Sequence, residues 1–97
     1  MVVLALLLAA QDGAYLVGIG NQPCSVAMRD ELSDIRRSWI GGFWSALNLL
    51  GPSKSVGKEI GPRGIVGAVE ERCKRAPTET LAVALATTHT KLRQGGI

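Results

Sequence analysis

The residues of this chain best able to do chemistry are its bases, and they are unevenly placed. Lys54, Lys58 and Arg63 stand in a glycine-rich stretch, Arg72, Lys74 and Arg75 follow within one short segment, and Lys91 and Arg93 come near the end. Against them, residues 54–97 carry only Glu59, Glu70, Glu71 and Glu79, a net of +4. Residues 1–28 hold a single charge, Asp12, and in residues 29–53 Arg29, Arg36 and Arg37 balance Asp30, Glu31 and Asp34. The whole chain has a net charge of +3. A cationic half of this kind can neutralise phosphates, and the backbone amides of a glycine-rich loop can join it. The same side chains also read as a solvated surface, and cations in the last turn of a helix stabilise that helix by themselves.

Catalytic and metal-binding constellations are missing from the pattern. Gly18-Ile19-Gly20 would open a dinucleotide fingerprint, but the third glycine it needs is Pro23. Residues 51–59 (GPSKSVGKE) imitate a phosphate loop with one residue too many between the glycines and with Glu59 where a magnesium-holding hydroxyl belongs. His89 is the single histidine and has no ligand cluster around it in sequence, so it reads as a polar residue near a sheet edge. Glu70 and Glu71 are adjacent, point apart on a helix, and have Lys74 and Arg75 four residues on. Cys24 and Cys73 form no CxxC and are too few for a secreted framework, which makes them free thiols of a reducing compartment. The expectation is no catalytic residue, no metal and no cofactor.

Elements must position these bases. The chain has 97 residues, 46% of them hydrophobic and 20% charged, which fits one globular domain over 1–97. Aromatics are scarce, so the core is aliphatic. Met1–Ala10 is an apolar run without a base in front, and Leu8-Ala9-Ala10 lacks the small first residue of a signal cleavage site. It reads as a central strand, with a single buried helix as the other option, and Gln11-Asp12-Gly13 turns it into a second strand, Ala14–Gly20. Ser25 serves as N-cap of a helix over about Val26–Leu50, whose apolar face is Met28, Leu32, Ile35, Trp39, Phe43, Leu47 and Leu50. Trp39 and Phe43 should be buried on it, and Gly41-Gly42 suggests a kink or a close approach. Residues 51–64 read as a loop with a short strand near Val56–Ile60, and Ile65–Ala76 as a second helix with the stripe Ile65, Val69, Cys73 and Ala76. Thr78–Leu92 fits either a strand, from its alternation and threonines, or a helix, from Leu81, Leu85 and Leu92; strand is the expectation. The fold class is then α/β, a small single-layer sheet packed by two helices. No apolar run is long enough to span a membrane.

Two stretches carry a family resemblance. Ile40–Gly51 with Phe43, Leu47, Leu50 and Gly51, and Leu85–Gln94 with Thr88, Thr90, Lys91, Leu92 and Arg93, resemble the small RRM-like protein subunit of archaeal and eukaryotic ribonuclease P, the Pop-five family. Ile65–Ala76 would match that family's second helix, preceded by an echo of its strand in Gly64-Ile65-Val66. Arg63-Gly64-Ile65-Val66-Gly67-Ala68-Val69 is similar to a run of the Alba family of nucleic-acid-binding proteins. The resemblances cover about half of the chain and imply an RRM/ferredoxin-like or Alba-like fold. They also imply a non-catalytic, RNA-binding subunit of a ribonucleoprotein, ribonuclease P in tRNA 5′ processing, with the RNA carrying the chemistry.

The expectation is therefore a cytoplasmic protein that binds structured RNA through Lys54, Lys58, Arg63, Arg72, Lys74, Arg75, Lys91 and Arg93, together with a protein partner or a second copy of itself. The competing reading is a small dimeric protein-interaction module of the roadblock or profilin-like kind without RNA binding. An enzyme with its own active site ranks last for want of a site.

Overall fold

The computed structural model describes residues 15–97, and every regular element in them is helical. Short 3₁₀ turns span Ile19–Asn21 and Asp30–Leu32, and four α-helices follow the chain: α1, Cys24–Ala27; α2, Ser33–Leu50; α3, Gly61–Arg75; and α4, Leu81–Gln94. The only β-type pairing among the described residues is an isolated antiparallel bridge between Pro23 and Thr80. The expected α/β class is thus corrected to all-helical, and the sheet that an RRM-like or Alba-like fold requires is absent from the described residues. The strand expected at Met1–Ala10 and the turn expected at Gln11-Asp12-Gly13 fall outside the described residues.

Each wrong element has a local cause. Most of Thr78–Leu92 lies in the helix Leu81–Gln94, which Thr80 caps, its hydroxyl accepting from the Val83 amide at 3.2 Å. The threonines that suggested a strand are accommodated: Thr88 Oγ1 donates to the Ala84 carbonyl at 2.8 Å, one turn back. α4 is also buried on nearly every side, through Leu81, Ala82, Ala84, Leu85, Ala86, Thr88 and His89. A helix wrapped in this way shows no clear apolar period. α3 starts four residues before its expected start because Pro62, with φ preset and no amide to lose, lies in its first turn. No strand forms at Val56–Ile60, where the chain is a series of turns that Gly57 allows by adopting φ 88°. Likewise the described part of Ala14–Gly20, from Tyr15 on, forms no strand: it passes into the first 3₁₀ turn, with Gly20 so close under the Trp39 ring that a Cβ would stand 1.9 Å from it.

The long helix is shorter and rotated relative to its expected form. Met28 and Arg29 separate α1 from the Asp30–Leu32 turn, and Pro23 rather than Ser25 occupies the N-cap position of α1. The core-facing residues of α2 are Arg36, Ile40 and Trp44, one step round the helix from the expected stripe. Ile35 and Leu50 are exposed at 58% and 83%, and Trp39 and Phe43 are half-buried, edge to face with ring centres 5.0 Å apart. Arg36 causes the shift. A simple apolar count places arginine outside, whereas this one is buried and satisfied, donating through Nε to Glu70 at 2.7 Å and through an amino group to the carbonyls of Ala27 and Arg29. α2 runs unbroken through Gly41-Gly42, and a Cβ at either would find nothing within 4 Å.

Cys24 and Cys73 form a disulfide with Cα atoms 5.1 Å apart, correcting the free-thiol reading. It joins α1 to α3 inside the core formed with Ile40, Trp44, Val69, Leu81, Ala84 and Leu85. Backbone bonds tie the same corner: Cys24 N to Glu79 O at 2.7 Å, Ser25 N to Pro77 O at 3.0 Å and Leu81 N to Gln22 O at 3.0 Å. The stripe Ile65, Val69, Cys73 and Ala76 does face inward, with Val69 and Cys73 fully buried.

Candidate binding furrow

The 51–60 segment is held by the Val56 carbonyl and the Gly57 amide rather than by a strand. Val56 O accepts from the Trp44 indole N–H at 2.8 Å and from Asn48 Nδ2 at 3.1 Å. Asn48 Oδ1 lies 2.8 Å from His89 Nε2, and the Trp44 and His89 rings meet edge to face with centres 4.8 Å apart. Since the Asn48 amide nitrogen is committed to Val56, its oxygen accepts and His89 Nε2 carries the proton. Burial, aided by the positive charge of Arg93, holds the His89 pKa below its usual value. His89 is therefore a buried strut between α2, α4 and this segment, not a residue at a sheet edge. At the chain end, Gly57 N donates to Ile97 O at 3.0 Å.

These anchors leave an open furrow between α2 and α3. One part, about 690 Å³, is lined by Arg37, Gly41, Trp44 and Ser45 of α2 and by Pro62, Arg63, Ile65, Val66, Gly67 and Glu70 of α3. A second part, about 410 Å³, shares Trp44, Ser45, Pro62 and Ile65 with it and extends along Asn48 to Lys54 and Lys58. The floor is apolar and the rims are cationic. Glu70, the acid that lines it, is already paired with Arg36. Among the described residues the ion pairs are Arg36–Glu70 and Arg72–Glu79, so Arg37, Lys54, Lys58 and Arg63 carry charge without a carboxylate partner. Lys54 Nζ donates to the Leu49 carbonyl at 2.9 Å, near the C-terminus of α2.

The eight bases expected to bind RNA therefore separate. Lys54, Lys58 and Arg63 share the furrow. Arg72 is engaged by Glu79, and that hydrogen bond raises its pKa against the opposing effect of burial. Lys74 and Arg75 are exposed at the far end of α3, about 18 Å along the axis from Arg63 by helical rise. Arg93 borders a separate recess with Ser53 and Ser55, and Lys91 is exposed on α4. Glu70 reaches across to Arg36 instead of pairing with Lys74. Arg37, Gly41, Trp44 and Gly67 are furrow residues that sequence reasoning missed. The signal was present as a spacing: Arg37-x₃-Gly41 on α2 and Arg63-x₃-Gly67 on α3 each set a cation one turn before a missing side chain.

Among the described residues no three metal-ligating side chains gather, and no helix is long and apolar enough to cross a membrane. Comparison of the chain with protein-family models, with curated proteins and with solved structures finds no match to any of them.

Proposed function

We propose that this chain is a binding module whose α2–α3 furrow receives an anionic, partly apolar ligand in an oxidising compartment. The observation that carries this is the pairing of an apolar floor with four cations that lack carboxylate partners among the described residues, Arg37 and Arg63 on the larger part and Lys54 and Lys58 on the smaller. The compartment follows from the Cys24–Cys73 bridge, since such bonds are rare where thiols are kept reduced; this reading replaces the cytoplasmic one.

A direct test uses 8-anilinonaphthalene-1-sulfonate, a fluorophore that is both anionic and apolar. The folded, disulfide-intact protein should enhance its emission, with binding weakened by salt and by the double substitution Arg37→Glu/Arg63→Glu, while near-ultraviolet circular dichroism stays unchanged. Equal enhancement by wild type and the double variant would remove the furrow from consideration.

RNA remains the second reading, because Lys54, Lys58 and Arg63 of the expected RNA-contacting set share the furrow. It requires binding to a single-stranded oligonucleotide whose log K falls linearly with log salt, with each lost cation reducing the slope by roughly one. Unchanged affinity after charge reversal at Lys58 and Arg63 would end it.

A further inference from the structure

Resting on the furrow as a binding site, we infer that its occupant is an acidic amphipathic helix of a partner polypeptide. Charge complementarity gives the sign. Arg37 and Arg63 face the furrow from opposite walls, Lys58 stands at its far part, and Glu70 is neutralised by Arg36, so the field over the apolar floor is positive.

Backbone chemistry gives the conformation. Both walls are helices whose amides and carbonyls are spent within themselves, so an extended segment laid between them would find no ladder to join. A helix brings its own hydrogen bonds and needs only space and an apolar stripe. Space is provided where Gly41 and Gly67 leave the rims bare, each open for at least 4 Å around the missing Cβ. From Arg37 to Asn48 the α2 wall runs about 16 Å, which is three turns of a docked helix. Such a helix would set apolar side chains at i, i+3 or i+4 and i+7 on Ile65 and Val66, and carboxylates on its flanks towards the arginines. Nucleic acid suits the floor less well: the Trp44 ring is only 3% exposed and presents no face for a base to stack on.

The experiment uses the disulfide-intact chain and labelled peptides of about 18 residues, long enough to form a helix when bound. One carries leucines at helical spacing with glutamates on the flanks, a second replaces glutamate by lysine, and a third places proline at the centre of the first. Anisotropy should show binding of the glutamate peptide alone, with a gain of its helical circular dichroism. Filling the rims by Gly41→Leu or Gly67→Leu, both at exposed positions, should lower that affinity by about tenfold or more, as should Arg63→Glu. Thermal melting checks that each variant folds, and Arg63→Glu, at an exposed surface position, decides the matter if a leucine variant does not. Equal binding of the proline peptide would overturn the helical occupant, and equal binding of the lysine peptide would overturn its charge. No peptide binding beside retained binding of the anionic fluorophore would end this inference and leave the furrow as a site. Loss of both would end both, and binding of an oligouridine in place of the peptide would transfer the site to nucleic acid.

Discussion

Breaking the Cys24–Cys73 bridge should remove a large share of the stability of this domain. The bridge spans 49 residues of sequence. Closing a loop of that length in the unfolded chain lowers its entropy enough to stabilise the native state by about 4 kcal/mol in the chain-entropy model. A domain of this size is stable by only about 5–15 kcal/mol in total. Both cysteines are buried, at 0% and 1% exposure, so the reduced protein keeps two thiols in the same apolar site and the native packing changes little. The effect therefore lives mainly in the unfolded state. For a chain of this length, 4 kcal/mol corresponds to a fall in Tm of about 15–30 °C. Thermal melting followed at 222 nm, with and without reductant, reads this directly, and the far-ultraviolet spectrum before the transition should be the same in both samples. A reduced protein that melts within about 5 °C of the oxidised one would refute the reasoning. Either the bridge is then absent, or the unfolded chain already holds α1 and α3 together.

Two further perturbations test the interior. Arg36→Met should cost about 3–5 kcal/mol, because it strands Glu70 and two backbone carbonyls, and Glu70→Leu added to it should restore much of the loss; a double variant as unstable as the single one in urea would mean that the ion pair is not the reason Arg36 is buried. The lowered His89 pKa sets a pH dependence: the unfolded state, titrating near 6.5, takes up the proton before the native state does, so stability is level above about 6.5 and falls as pH drops from there towards the native value, by at most about 1.4 kcal/mol per unit. Comparing the urea midpoints of wild type and His89→Gln between pH 5 and 7.5 isolates this contribution from the carboxylates, and parallel losses in the two proteins would exclude it.

The sequence was most legible where one face of a helix is apolar and the other wet. Val69 and Cys73 follow that rule, and α3 was found with its end one residue long and its start four residues late, because Gly61 and Pro62 signal a loop and a helix N-terminus equally well. α2 was found but misphased by Arg36, whose burial depends on Glu70, 34 residues away, and so cannot be read locally. α4 was missed since burial on most sides erases the period, although the Thr80 cap was visible. The disulfide was hidden for a different reason: a pair of cysteines 49 residues apart says nothing until the fold brings their Cα atoms within 5.1 Å. The candidate site was half legible. Its cations on the loop and α3 stood out by composition, whereas Arg37 lay in a segment of zero net charge.

The placement of the covalent and ionic ties explains why the furrow stays open. α3 is fastened on one side, by Cys73 to α1 and by Glu70 to Arg36 of α2, both in its last two and a half turns. Its first turns, with Pro62, Arg63 and Ile65, are held by the packing of Ile65 and Val66 on the core and by the 51–60 segment, which is bonded to Trp44 and Asn48 through the Val56 carbonyl and to Ile97 through the Gly57 amide. α2 and α3 are thus tied by an ion pair at the Glu70 end, and among the described residues no ion pair joins them at the Arg63 end. His89 backs the Val56 carbonyl through Asn48 and packs edge to face on Trp44, so one buried side chain buttresses two residues that line the furrow. The same arrangement separates the roles of the bases. Arg36 and Arg72, beside the tied end, are consumed by carboxylates, whereas Arg37 on the adjoining rim and Arg63, Lys54 and Lys58 beside the other end have no carboxylate partner among the described residues.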